Sequence, residues 1–285
     1  MQIKKLLVIF VVLAAITMTI GINPVLAGKG KVELAYVEWD CATASTHVMK
    51  AVLENLGYDV EVIPVAAAAM WQSIAVGDAD GMTAAWLPTT HGQYMKRFKD
   101  KVVDLGPNLH GTRIGLVVPD YVSIDTIDDL RANAAKFDNK IIGIDPGAGL
   151  MIKTEVVMKK YGLGKMDLLE GSGATMAAAL GDAIKNNEWI VVTGWTPHWK
   201  FARWDLKYLD DPKKVYGGEE FIGTIVRQGL EKDMPEVYAV LGNFNWSPKD
   251  IAEVMIMNRK DGADPVETAR QWVKDNPEKV KKWLP

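Results

Sequence analysis

Residues 70–88 read Met70-Trp71-Gln72-Ser73-Ile74-Ala75-Val76-Gly77-Asp78-Ala79-Asp80-Gly81-Met82-Thr83-Ala84-Ala85-Trp86-Leu87-Pro88. The order is a helix, a Gly-Asp-Ala turn, an apolar strand, and then Trp-x-Pro where the strand ends. A hundred residues later the chain does the same thing. Met176 to Ala179 leads to Leu180-Gly181-Asp182-Ala183, and then to Ile190-Val191-Val192-Thr193-Gly194-Trp195-Thr196-Pro197-His198-Trp199. The spacing differs, so this is a parallel of design and not a strict repeat. In open parallel sheets, ligands bind outside the carboxyl ends of the strands. Trp86 and Trp195 therefore stand at the mouths of two units, and facing units would bring both rings into one cleft.

The segments around these two stretches carry the same alternation. Val32, Leu34 and Tyr36 alternate with Lys31, Glu33 and Ala35 as a strand. The segment Trp39 to Ala44 bridges to a helix with the stripe Val48, Met49, Val52, Leu53 and Leu56, capped by Ser45 or Thr46 and closed by Gly57. Residues 58–64 return as a strand, and 66–75 as a helix. A second unit follows His110-Gly111: strand 114–118, helix 126–135, strand 140–145, the loop Pro146-Gly147-Ala148-Gly149, and an amphipathic helix 150–161 closed by Gly162. Alternating strand and helix implies an α/β fold of two lobes, each a mostly parallel sheet flanked by helices. The expected lobes are 28–111 plus 216–285, and 112–215, with crossings near His110-Gly111 and Asp211 to Gly218.

Lys4 and Lys5, an apolar run from Leu6 to Ile20 and the small-residue ending Val25-Leu26-Ala27 read as a secretory signal cleaved after Ala27, and so as a periplasmic protein. Its removal takes two of 33 basic residues and none of 36 acidic ones, leaving 31 and a net charge of −5. That balance points away from nucleic acid. The single Cys41 cannot form an internal disulfide. Four scattered His and one Cys make a poor metal site. No nucleophile elbow, phosphate loop or zinc-protease motif is present, so the sequence calls for no cofactor, metal or catalytic residue.

Ten tryptophans are the compositional outlier. A quaternary ammonium has no N–H to donate, so aromatic faces are the means of holding it. Beyond Trp86 and Trp195, the candidate walls are Trp39 and Trp246, the latter in Asn243-Phe244-Asn245-Trp246. A carboxylate on the same ligand would sit on a helix amino terminus, either at Cys41-Ala42-Thr43 or at Gly147-Ala148-Gly149. Asp40 could oppose the cation or cap its helix, and His91 or His198 could reach the carboxylate.

Taken together, Tyr36-Val37-Glu38-Trp39-Asp40, Gly77-Asp78-Ala79 with Ala85-Trp86-Leu87-Pro88, Thr193 to Trp199, and Asn243 to Trp246 resemble the glycine betaine binding proteins of ATP-driven osmoprotectant importers. The resemblance runs along nearly the whole chain after the signal. It implies a type II-like periplasmic binding protein that captures glycine betaine between tryptophans and passes it to a membrane permease powered by a separate ATPase. Carried over, the cage falls on Trp86, Trp195 and Trp246, with amides near Cys41 and Ala42 as the carboxylate cradle. Choline-binding relatives would use Trp39 and Asp40 instead, and enterobacterial-type relatives place a Trp in the glycine loop of the second lobe, where this chain has Ala148. Choline, carnitine, trimethylamine oxide or a sulfonium are the alternative ligands; a periplasmic enzyme acting on such a compound is the alternative class.

Overall fold

The computed structural model describes residues 28–285; the expected signal, 1–27, lies outside the described residues. The first elements are β1 (Lys31–Tyr36), α1 (Asp40–Asn55), β2 (Asp59–Pro64), α2 (Ala67–Val76), β3 (Gly81–Leu87) and α3 (Gly92–Phe98). Then come β4 (Val102–Pro119), α4 (Leu130–Asn133), β5 (Lys140–Ile142), α5 (Gly149–Tyr161), β6 (Asp167–Leu169), α6 (Gly173–Asn186), β7 (Val192–Thr196), α7 (Lys200–Arg203) and β8 (Leu206–Tyr208). The chain closes with β9 (Glu220–Arg227), α8 (Leu230–Asp233), α9 (Pro235–Asn243), α10 (Pro248–Asn258), α11 (Pro265–Asp275) and α12 (Pro277–Val280). The fold is α/β and mixed, in the strand order β2-β1-β3-β9-β4-β7-β5-β6, with β8 on β4. The expected parallel pairings, β1 with β2 and β3 and β5 with β6 and β7, form the two outer parts. β9 and β4 run antiparallel between them.

Every residue of β3 is buried, as its uninterrupted apolar sequence requires of a central strand. The expected crossing at His110-Gly111 is no loop: it is the middle of the 18-residue β4, which pairs with β9 at one end and with β7 and β8 at the other. Register shifts along β4 and β9 absorb the bend there. α1 begins at Asp40, five residues before the expected caps Ser45 and Thr46. Nothing in Cys41-Ala42-Thr43-Ala44 opposes a helix, and Asp40 places a negative charge where the helix amino end favours one. The expected helix 126–135 is instead two 3-10 turns flanking α4, started by a capping box between Thr126 and Asp129.

Candidate functional site

β3 and β7 deliver Trp86 and Trp195 to one pocket, and Trp39, at the turn from β1 into α1, supplies a third aromatic wall. The rest of the lining is Cys41, Thr90, His91, Ile114, Ile144 and the start of α5, Ala148-Gly149-Leu150. The loop after Trp86-Leu87-Pro88 is fixed by the buried Glu220 of β9, whose carboxylate accepts the amides of Thr89 and Thr90, each at 2.7 Å. Across the cavity, Tyr94 Oη donates to the Gly147 carbonyl at 2.8 Å and Trp39 Nε1 donates to Asp145 Oδ2 at 3.0 Å. Gly149 is obligatory here: a Cβ at this position would overlap the Thr90 carbonyl, so glycine lets α5 close against that loop.

One end of the cavity is rich in donors. The Trp86 amide donates to His91 Nδ1 at 3.1 Å, which puts the ring proton on Nε2. That Nε2 is buried and has no partner among the described residues, while burial holds the imidazole neutral down to about pH 3. Beside it, α5 starts at Ala148 with no side-chain cap, so its first-turn amides have no intrahelical acceptor. Aromatic faces and uncharged N–H donors in one lining match a molecule that is a diffuse cation at one end and a carboxylate at the other.

The sequence candidates divide cleanly. Trp39, Trp86, Trp195 and Cys41 line the cavity. Trp246 does not: its ring lies 5.3 Å from Phe244 and 6.0 Å from Trp272, within a C-terminal aromatic cluster completed by Trp283. Asp40 is turned toward His198, whose Nε2 stands 3.4 Å from Oδ2. Burial works to raise the Asp40 carboxyl, but His198, Trp199 and Arg259 outweigh it and hold it low. His198 accepts the Lys200 amide on Nδ1 at 3.1 Å and packs edge-on to Trp195 at 4.6 Å, behind the wall and outside the lining. Ala42 is also outside the lining, and the Thr43 amide is used on the Trp39 carbonyl. Both α1 and α5 begin without a side-chain cap, and the lining takes Cys41 from the first and Gly149 and Leu150 from the second.

Lys200 carries no motif, and only the fold reveals it. It is fully buried, and its Nζ lies 4.4 Å from the centre of the Trp195 ring with no hydrogen-bond acceptor. Gly194, beside it, leaves space for Val117, whose side chain a Cβ would overlap. Burial lowers the ammonium to about 7 against the opposing pull of Asp40 and Cys41.

A pocket walled by aromatic rings and lined by the uncapped start of α5, on a mixed sheet flanked by helices, defines a ligand-capturing protein of the periplasmic binding type. Residues 30–275 match the family described as the substrate binding domain of ABC-type glycine betaine transport system (OpuAC), and the chain belongs to that family. It is a transport component and not an enzyme. It is 52% identical over 145 residues to the glycine betaine/carnitine transport binding protein GbuC of Listeria monocytogenes; the match covers 50% of this chain and 48%, about half, of that relative. Among solved structures, the glycine/betaine/L-proline-binding protein of Borrelia burgdorferi is 43% identical with a TM-score of 0.88, covering 90% of this chain and 97% of that one. Lactococcal OpuAC, closed around glycine betaine, is 43% identical with a TM-score of 0.84, covering 90% and 100%.

Proposed function

We propose that this chain captures glycine betaine or a close quaternary-ammonium zwitterion outside the cytoplasm, in the periplasm, and delivers it to a membrane permease with its own ATPase. The observation that carries this is the one pocket whose lining brings Trp39, Trp86 and Trp195 together with His91, whose buried Nε2 has no partner among the described residues, and the α5 amino terminus. Each aromatic face contributes on the order of 0.5–2 kcal/mol. With the carboxylate held by His91 and the amides of Gly149 and Leu150, a micromolar Kd, about −8 kcal/mol, is within reach. Choline brings no carboxylate and leaves those donors unmatched, and Asp40 faces His198 instead of the cage.

The walls are buried, so a ligand enters only if they part. Lobes 28–111 plus 216–285 and 112–215, hinged where β4 and β9 cross between them, would open and close the cavity, and the closed form is what the permease reads. Among the described residues no helix is long and apolar enough to cross a membrane. The test is calorimetric titration with glycine betaine, choline and proline, repeated for Trp86→Ala and Trp195→Ala. Micromolar betaine binding lost in both variants is the expected result; no heat from any quaternary amine would overturn the reading.

A further inference from the structure

Lys200 sits on one face of Trp195, and that ring is also a wall of the cavity. The lysine is fully buried and lines no part of the cavity, so a captured cation meets the part of the indole that Lys200 leaves uncovered. Two cations on one ring draw on the same quadrupole and repel each other through it. We infer that Lys200 sets the strength with which Trp195 holds a cation, so that capture of a quaternary ammonium tightens when the lysine gives up its proton. The inference rests on the cavity being a quaternary-ammonium site.

The surroundings of the ammonium make that exchange accessible. A buried charge without a hydrogen-bond acceptor is costly, and Nζ has none; it has only the rings of Trp195 and, at 5.6 Å, Phe201. The titratable groups facing it are Asp40 and Cys41 of α1 and His198 of its own loop, with Arg259, past α10, acting on Asp40 and His198. Asp40 is already engaged with His198, and burial pushes the Cys41 thiol up to about 12, so neither gives Lys200 a committed counter-ion. The proton is held to about pH 7, where a second cation on the ring is enough to displace it. By linkage, whatever the ligand does to the proton, the proton does to the ligand.

Calorimetry with glycine betaine from pH 5.5 to 8.5, in buffers of different ionisation enthalpy, reads both sides of this exchange. The wild-type Kd is expected to fall roughly tenfold across that range, a one-unit displacement of the lysine, with proton release near neutral pH. Lys200→Met, neutral and of similar length, should bind at the high-pH strength throughout and release no proton. Lys200→Arg, charged throughout, should stay at the weak limit, and keeps the test open should the methionine variant fold poorly. A Lys200→Met profile that follows the wild type, or proton uptake on binding as His91 would give beside a carboxylate, overturns the inference and leaves the cage reading intact. If wild type binds no betaine at any pH, the cage reading falls and takes this one with it.

Discussion

At the scale of single residues, Trp39, which lines the pocket, and Trp246, which packs in the C-terminal cluster, separate the proposed ligand wall from the core. Trp39→Ala should weaken glycine betaine binding by roughly ten- to hundredfold, since it removes one face of a shared cation site. Trp246→Ala should leave the Kd within about twofold and lower stability instead, by about 3–5 kcal/mol for an aromatic removed from a packed cluster. Calorimetry beside urea denaturation reads both, and a Trp246→Ala variant that folds normally but cannot bind would contradict this division. Trp86 and Trp195 were legible because the strand-end rule positions them without any tertiary knowledge. Trp246 was not, because its burial comes from α11 and the C-terminal end, contacts no local pattern announces. His91 and His198 look alike after Trp-x-Pro, yet His91 lines the pocket and His198 turns its Nε2 toward Asp40. Only the packing of α1 against the second loop decides that.

At the scale of elements, the amino termini of α5 and α6 differ in freedom. α6 is sealed by a capping box in which Ser172 Oγ accepts the Thr175 amide at 3.1 Å, whereas α5 has no side-chain cap. Ser172→Ala should therefore cost about 1 kcal/mol in thermal or urea unfolding and leave betaine affinity untouched. Gly149→Ala should do the reverse: little loss of unfolding stability, but at least roughly tenfold weaker binding, because the new methyl group holds α5 off the Thr90 loop. Betaine binding that survives Gly149→Ala unchanged would show that this approach is not required. The loop Gly147-Ala148-Gly149 advertised the approach in sequence. That β4 runs unbroken through His110-Gly111 was hidden, since a bent strand with register shifts reads locally like two strands and a turn.

For the whole molecule, the most strongly shifted buried bases, His91, His198 and Lys200, weigh on the response to pH. Burial, chiefly, lowers His91 to about 3, His198 to about 4 and Lys200 to about 7, so the unfolded chain binds protons that the folded one refuses. Their stability contribution is complete above the unfolded values of 6.5 for histidine and 10.5 for lysine, and shrinks as pH falls toward the folded ones. Urea midpoints of the ligand-free protein should accordingly rise from pH 4 to 6 to 8, and a fall from 4 to 6 would refute that assignment. Glycine betaine at a hundred times its Kd should add about 2.7 kcal/mol at any of these pH values. Finally, the chain holds one thiol, and it is in the wall of the cavity. Burial pushes its thiol up to about 12 and keeps it inert in this form, so on the proposed opening of the lobes a small alkylating reagent would reach Cys41 chiefly in the open form. Modification is then expected to track opening and to stall when the ligand is held, which would make the native thiol a stopwatch for the proposed cycle.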